Sequence, residues 1–179
     1  MITQTIKVRE ITPGCRFTTT KKGDWIDLKL SEDAVIKAPT LGRLRKQKKT
    51  DDTEVNREVK FDYQLLSLGI AMELPKGLEA IVVARSSTFK NFGFIMPNAS
   101  AVIDNAYRGN NDEWRLPVLA CRNCTISKGS RVCQFRIQLN QFATVWQKIK
   151  WLFTSGIEIV EVEELPSKND RGGFGSTGK

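Results

Sequence analysis

The chain has 179 residues, 40% hydrophobic and 27% charged, enough for one well-filled core and too short for two ordinary domains. Its net charge of +8 favours polyanionic partners such as nucleic acid, anionic lipid or a phosphorylated small molecule. It has no histidine, which excludes Ser-His-Asp and Cys-His nucleophilic sites, histidine-ligated zinc and histidine general bases.

Along the chain, TIKVR at 5–9 and WIDLKL at 25–30 are the first short apolar runs, and both predict strands. The N-terminus lacks the apolar run of a signal peptide and no stretch reaches the length of a membrane span. The expectation is a cytoplasmic protein whose four cysteines are reduced thiols. Residues 42–60 turn strongly polar, with Arg43, Arg45, Lys46, Lys48 and Lys49 followed by Asp51, Asp52 and Glu54. With almost nothing apolar to bury, they predict an exposed insertion loop. No aromatic is interleaved to stack on bases, so nucleic acid is not an expected partner.

The run AIVVA at 80–84 predicts a strand that ends in Arg85, Ser86, Ser87 and Lys90, residue types that donate to phosphates. Asp104 follows Ala-Val-Ile, and Tyr107-Arg108-Gly109 follow it. Such an aspartate is either a partly buried carboxylate able to act as general base toward water, or the cap of a tight turn. Further strands are predicted at 116–120 (LPVLA), 132–139 (VCQFRIQL) and 157–162 (IEIVEV), with Ile157 and Ile159 facing a core. Cys121 and Cys124 form a CxxC without the histidine partners of a zinc site or the βαβ context of a redox motif, and read as half-buried strand or turn thiols. Many short strands separated by Gly and Pro point to an all-β sandwich or barrel.

One segment has a helical period. In 142–153 the apolar residues fall at Phe142, Val145, Trp146, Ile149, Leu152 and Phe153. This predicts a short inserted helix, packed on the barrel or between subunits; a helix that docks on a membrane surface or a partner is the other reading. The tail at 167–179 is rich in Gly and Ser and predicts a flexible arm. It fits GxxxxGK, but a Walker loop needs a strand before it and a Ser/Thr and helix after it, so a Walker nucleotide-binding fold is not expected. Its closely spaced glycines, two hydroxyls and lone Phe174 suit a lid that closes on phosphates.

Taken together, the residues resemble the trimeric deoxyuridine triphosphatases (dUTPases), which split dUTP into dUMP and pyrophosphate. The family's motifs stand in order as GDWIDL at 23–28, Arg85-Ser86-Ser87, AVIDNAYRG at 101–109, KGSRVCQ at 128–134 and RGGFGSTG at 171–178. Ala101 occupies a place where the family usually has Gly. The resemblance implies an all-β jelly-roll barrel at 1–166, with insertions at 42–60 and 142–153, assembled as a homotrimer. The arm at 167–179 would close over a neighbouring subunit's site. Asp104 would activate the attacking water, with Gln134 near the α-phosphorus. Asn98 and Ile103 lie on the hairpin that would read uracil through its backbone, and Tyr107 would sit against the deoxyribose. Arg85, Ser86 and Ser87 would face the phosphates. Phe174 would stack on the base while Arg171, Gly175, Ser176 and Thr177 close on the triphosphate. Mg²⁺ would ride on the substrate, with Asp27 near it through water.

The resemblance leaves two rivals in play. One is a dCTP deaminase of the same superfamily, with or without dUTPase activity. The other is a catalytically silent trimer that senses the nucleotide. Loop 42–60 and helix 142–153 are the surfaces where a protein partner would bind.

Overall fold

Backbone pairing follows the predicted alternation closely. The computed structural model describes residues 2–17, 24–44, 57–167 and 169–173. The elements run β1 (Ile2–Glu10), β2 (Ile26–Lys29), β3 (Ala34–Ile36), β4 (Thr40–Leu44), β5 (Arg57–Lys60), β6 (Tyr63–Ser67), β7 (Ile70–Glu73) and β8 (Leu78–Ala84). After them come α1 (Thr88–Phe92), β9 (Phe94–Ile95), β10 (Ala101–Ile103), β11 (Arg115–Ala120), β12 (Cys124–Ile126), β13 (Arg131–Leu139), α2 (Val145–Leu152) and β14 (Thr154–Glu161).

The sheet that positions the site has the order β10-β8-β13-β2, antiparallel throughout. A second sheet places β1 between β14 and β7, with β14 parallel to β1. A third has the order β6-β11-β9. Period-two burial explains these strands: in β13 Cys133, Phe135 and Ile137 face inward while Arg136 is exposed, and in β8 Leu78, Ala80 and Val82 are buried. All belong to one apolar cluster centred on Phe135, with the rings of Trp114 (5.3 Å) and Phe17 (5.5 Å) edge-on to it. Gly69 ties β7 to the segment after β1. It has a φ of +65°, and a Cβ there would lie 2.7 Å from Cys15 Sγ.

Three expectations need correction. Residues 42–60 are not loop at their ends, because β4 and β5 pair as an antiparallel hairpin with Leu41 opposite Val59. Ladder hydrogen bonds need no buried side chain, so apolar content does not reveal such a hairpin. The basic residues Arg45, Lys46, Lys48 and Lys49 lie outside the described residues.

The helix begins later than its apolar period, at Val145. Thr144 and Gln147 form a capping box there, with Gln147 N donating to Thr144 Oγ1 (3.3 Å) and Thr144 N to Gln147 Oε1 (2.7 Å). Nor does its apolar stripe pack on the barrel: Trp146 is 79% exposed and Leu152 80%, and of the helix only Trp151 rests on the core. The third correction is α1, a five-residue helix closed by Gly93 in the left-handed region (φ +69°), which the apolar pattern does not show. Cys121 is exposed and Cys124 half-buried at the β11–β12 turn, while Cys15 and Cys133 are buried. Among the described residues no helix is long and apolar enough to cross a membrane.

Candidate functional site

The turn after β9 is not a hairpin, because β9 pairs with β11 and β10 with β8. With the turn after β10 it builds one wall of a cavity of about 360 Å³, lined by Asn98, Val102, Asp104, Tyr107, Arg171 and Gly172 among others. Ala99 sits in the turn between β9 and β10 with φ +54°, a rare conformation for a residue with a side chain. It turns the chain so that Asn98 and β10 face the same hollow. Ile103 is buried and pairs with Ala80 of β8, which fixes where the chain leaves the sheet.

Asp104 comes next. Its Oδ1 accepts the Ala106 N–H at 2.8 Å, its carbonyl accepts the Tyr107 N–H at 3.1 Å, and its Oδ2 pairs with the Arg171 guanidinium. It therefore caps a tight turn and also presents a carboxylate to the cavity, its side chain 42% exposed rather than buried. Tyr107 is fixed by its hydroxyl, which donates to the Glu113 carbonyl at 2.7 Å. Burial, with Asp112 next in weight, pushes its pKa up to about 12, so the phenol stays neutral.

The root of the arm lies along this same turn. Ser167 bridges Gly109, Asn111 N and Nδ2 donate to Asp170 at 2.9 and 2.7 Å, and Leu165 N donates to Asn110 Oδ1 at 2.8 Å. The Asn111 contacts lower the pKa of Asp170. Gly109 must be glycine here, because a Cβ would collide with Asp170 Oδ1 and lie 2.5 Å from its Cα. Phe174, Gly175, Ser176 and Thr177 lie outside the described residues, and the described part of the arm, at 167 and 169–173, lies against the third-motif turn of its own chain and not over a neighbour.

A second polar cluster forms where β2, β8 and β13 end side by side. Gln134 of β13 stands opposite both Asp27 of β2 and Val83 of β8, and Arg85 leaves β8 just beyond. Asp27 Oδ1 accepts from Arg85 Nε at 2.7 Å and Oδ2 from Arg131 Nη1 at 3.1 Å. Both oxygens thus orient guanidinium groups. Ser86 is exposed and Ser87 partly so in the turn into α1, which Thr88 pins by accepting from Arg85 N (3.1 Å) and donating to the Val132 carbonyl (2.9 Å). Among the described residues, no group of three or more His, Cys, Asp or Glu is placed to hold a metal ion.

The two clusters do not meet within one chain. Ile103, just before Asp104, pairs with Ala80 near one end of β8, and Arg85 follows the other end. Roughly 16 Å of extended strand separates Ala80 from Arg85 at the usual rise per residue. The sequence reading did not single out Asn110, Asn111 and Asp112, although three side chains able to bind backbone groups, directly after the turn, are a signal for a loop that holds another segment.

The chain has known relatives. The family model for dUTPase matches residues 48–178, which contain Asp104, Gln134 and all of the arm but Lys179. The chain belongs to the dUTPase family. It is 41% identical over 163 residues to the SPbeta prophage-derived deoxyuridine 5'-triphosphate nucleotidohydrolase of Bacillus subtilis (strain 168), covering 91% of this chain and 89% of that one. To the deoxyuridine 5'-triphosphate nucleotidohydrolase of Hydrogenobaculum sp. (strain Y04AAS1) it is 35% identical, covering 72% of this chain and 78% of the relative. Among solved structures, the dUTPase from phage phi11 of S. aureus superposes with a TM-score of 0.57 at 12% identity, covering 78% of this chain and 93% of that one. A mutant of the Staphylococcus bacteriophage 80alpha dUTPase with dUpNHpp covers 97% of this chain and 98% of its own, with a TM-score of 0.55 and 15% identity. These structural likenesses show the fold, the all-β jelly roll of the dUTPases. Asp27 lies ahead of the residues that the family model matches.

Proposed function

We propose that the chain hydrolyses dUTP to dUMP and pyrophosphate at a site completed by more than one copy of itself. The observation that carries this reading is the cavity at the third motif, where Asp104, Tyr107 and Arg171 converge beside Asn98 and Val102. Asp104 holds a water in line with the α-phosphorus and takes its proton as the oxygen attacks. The bond from the α-phosphorus to the bridging oxygen breaks, pyrophosphate leaves, and the water oxygen stays on dUMP. Mg²⁺ arrives on the triphosphate as part of the substrate and spreads the developing charge. Arg85, Arg131, Ser86 and Ser87 supply phosphate donors, Gln134 stands beside them, and the arm brings Arg171 and its glycine-rich tip. The segment at 98–109 reads uracil, and the immobilised Tyr107 ring packs on the deoxyribose. The assembly is a homotrimer acting in the cytoplasm.

A deaminase needs a carboxylate in the pocket for amine chemistry. Glu113 is the nearest glutamate downstream of Asp104, and it is already engaged by Ser67 Oγ, by Gly69 N at 3.1 Å and by Arg115 Nε at 3.0 Å. The test is pyrophosphate release with Mg²⁺ from dUTP, dTTP, dCTP and UTP, with the base of each product identified. Release from dUTP alone, lost in Asp104→Asn while dUTP still binds, is the expected result. A uracil product from dCTP would establish the deaminase. Binding of dUTP without turnover by the native chain would establish a nucleotide-sensing role.

A further inference from the structure

Asp112 is a carboxylate with only 1% of its surface exposed, and it lies outside every motif quoted above. Burying a charge is costly unless hydrogen bonds replace its water. Here the replacements are backbone N–H groups: Gly109 N donates to Oδ2 at 2.8 Å, Arg171 N to both oxygens at 3.0 Å, and Gly172 N to Oδ1 at 3.0 Å. Gly109 belongs to the third motif, whereas Arg171 and Gly172 open the fifth, inside the arm. One buried charge thus joins the turn that carries Asp104 and Tyr107 to the start of the fifth motif.

The neighbouring contacts are of a different kind. Asn111 clasps Asp170 at the exposed surface, whereas Asp112 takes the last two N–H groups before the arm reaches Tyr107. Past that point a Cβ on Gly173 would lie 3.0 Å from Tyr107 Cε2, so the arm is already flush with the ring. Hydrogen bonds to a charged acceptor are stronger than neutral ones and fix direction. With the Arg171 main chain fixed in this way, its side chain falls on Asp104.

We propose that Asp112 is the anchor of the C-terminal arm, a positioning residue that sets Arg171, Gly172 and Gly173 beside Asp104 and Tyr107. It touches neither substrate nor metal. Its effect on catalysis runs entirely through the arm, and in that respect the proposal rests on the dUTPase reading.

Amide hydrogen exchange tests the anchor without reference to activity. In the native protein the Arg171 and Gly172 amides are expected to exchange at least about tenfold more slowly than in an unstructured peptide. Exchange at the peptide rate would overturn the proposal with no variant needed. Asp112→Asn keeps the shape but turns one acceptor into a donor, so the same amides should exchange about tenfold faster. The dUTP kcat/KM should fall by about tenfold, mostly through KM. In a chain ending at Asp170, Asp112→Asn should change kcat/KM by less than about twofold, because the groups it holds are gone. An equal loss in the shortened chain would make Asp112 a structural residue of its own loop and would sink the proposal. If the native chain does not hydrolyse dUTP, the function is wrong, and the exchange measurements still decide the anchor.

Discussion

Asp27 shows how partners redefine a side chain. As a carboxylate in the first motif it invites a metal, yet its two oxygens hold Arg85 and Arg131. Both Asp27 and Arg85 are partly shielded from water, where such a pair fixes orientation as well as charge. Asp27→Asn is expected to raise the KM for dUTP several-fold through a loosened Arg85 while leaving the Mg²⁺ concentration for half-maximal activity unchanged. A shift in that Mg²⁺ dependence would return Asp27 to the metal. Tyr107 offers a second test. Its raised pKa means that folding favours the neutral phenol, so its contribution is complete below the ordinary tyrosine pKa of about 10 and is lost as pH rises toward 12. Tyr107→Phe should cost about 1 kcal/mol at neutral pH through the lost bond to the Glu113 carbonyl, yet lose less stability than the native chain between pH 10 and 12. Parallel melting curves across that range would show that the phenol is not held by the fold.

At the scale of elements, strands were legible in the sequence where one face meets the core. The run at 132–139 became β13 and that at 80–84 became the last part of β8, because alternation and burial coincide there. The β4–β5 hairpin was not legible, since Leu41 and Val59 are both exposed and their strands rest on backbone pairing. Helix α2 was legible as a helix, but its surroundings were not, because an apolar period says that a face is greasy and not what it touches. At the site, the turn that Asp104 caps was legible from the residues that flank it. Asp112 was hidden because its partners lie about sixty residues away, in an arm that composition alone marks as loose. Gly109 lies between the two and tests how closely the arm must fit. Gly109→Ala puts a methyl into the space of Asp170 and should displace the arm root, lowering kcat/KM about tenfold while the melting temperature moves by only a few degrees. Full activity in that variant would mean that the arm root is free to lie elsewhere during turnover.

The whole molecule poses the larger question of how Arg85 and Asp104 would serve the proposed reaction from opposite ends of β8. A triphosphate nucleotide cannot bend a strand of the central sheet, whose β8 pairs with β13 along its whole length and with β10 from Ala80 to Val82. The two clusters converge only if the Arg85 end of one copy faces the Asp104 end of another, a heterologous contact that closes into a ring. Arg85→Ala and Asp104→Asn chains should therefore each be nearly inactive alone. Unfolded together and reassembled at equal amounts, they should recover activity, because some sites receive Arg85 from one variant and Asp104 from the other. Random mixing in a closed ring gives about a quarter of the sites both native residues. Recovery near that level would fix the copies as joint owners of each site. No recovery beyond the sum of the two variants, in mixed assemblies shown to have formed, would mean that one chain supplies both residues and that β8 does not hold them apart.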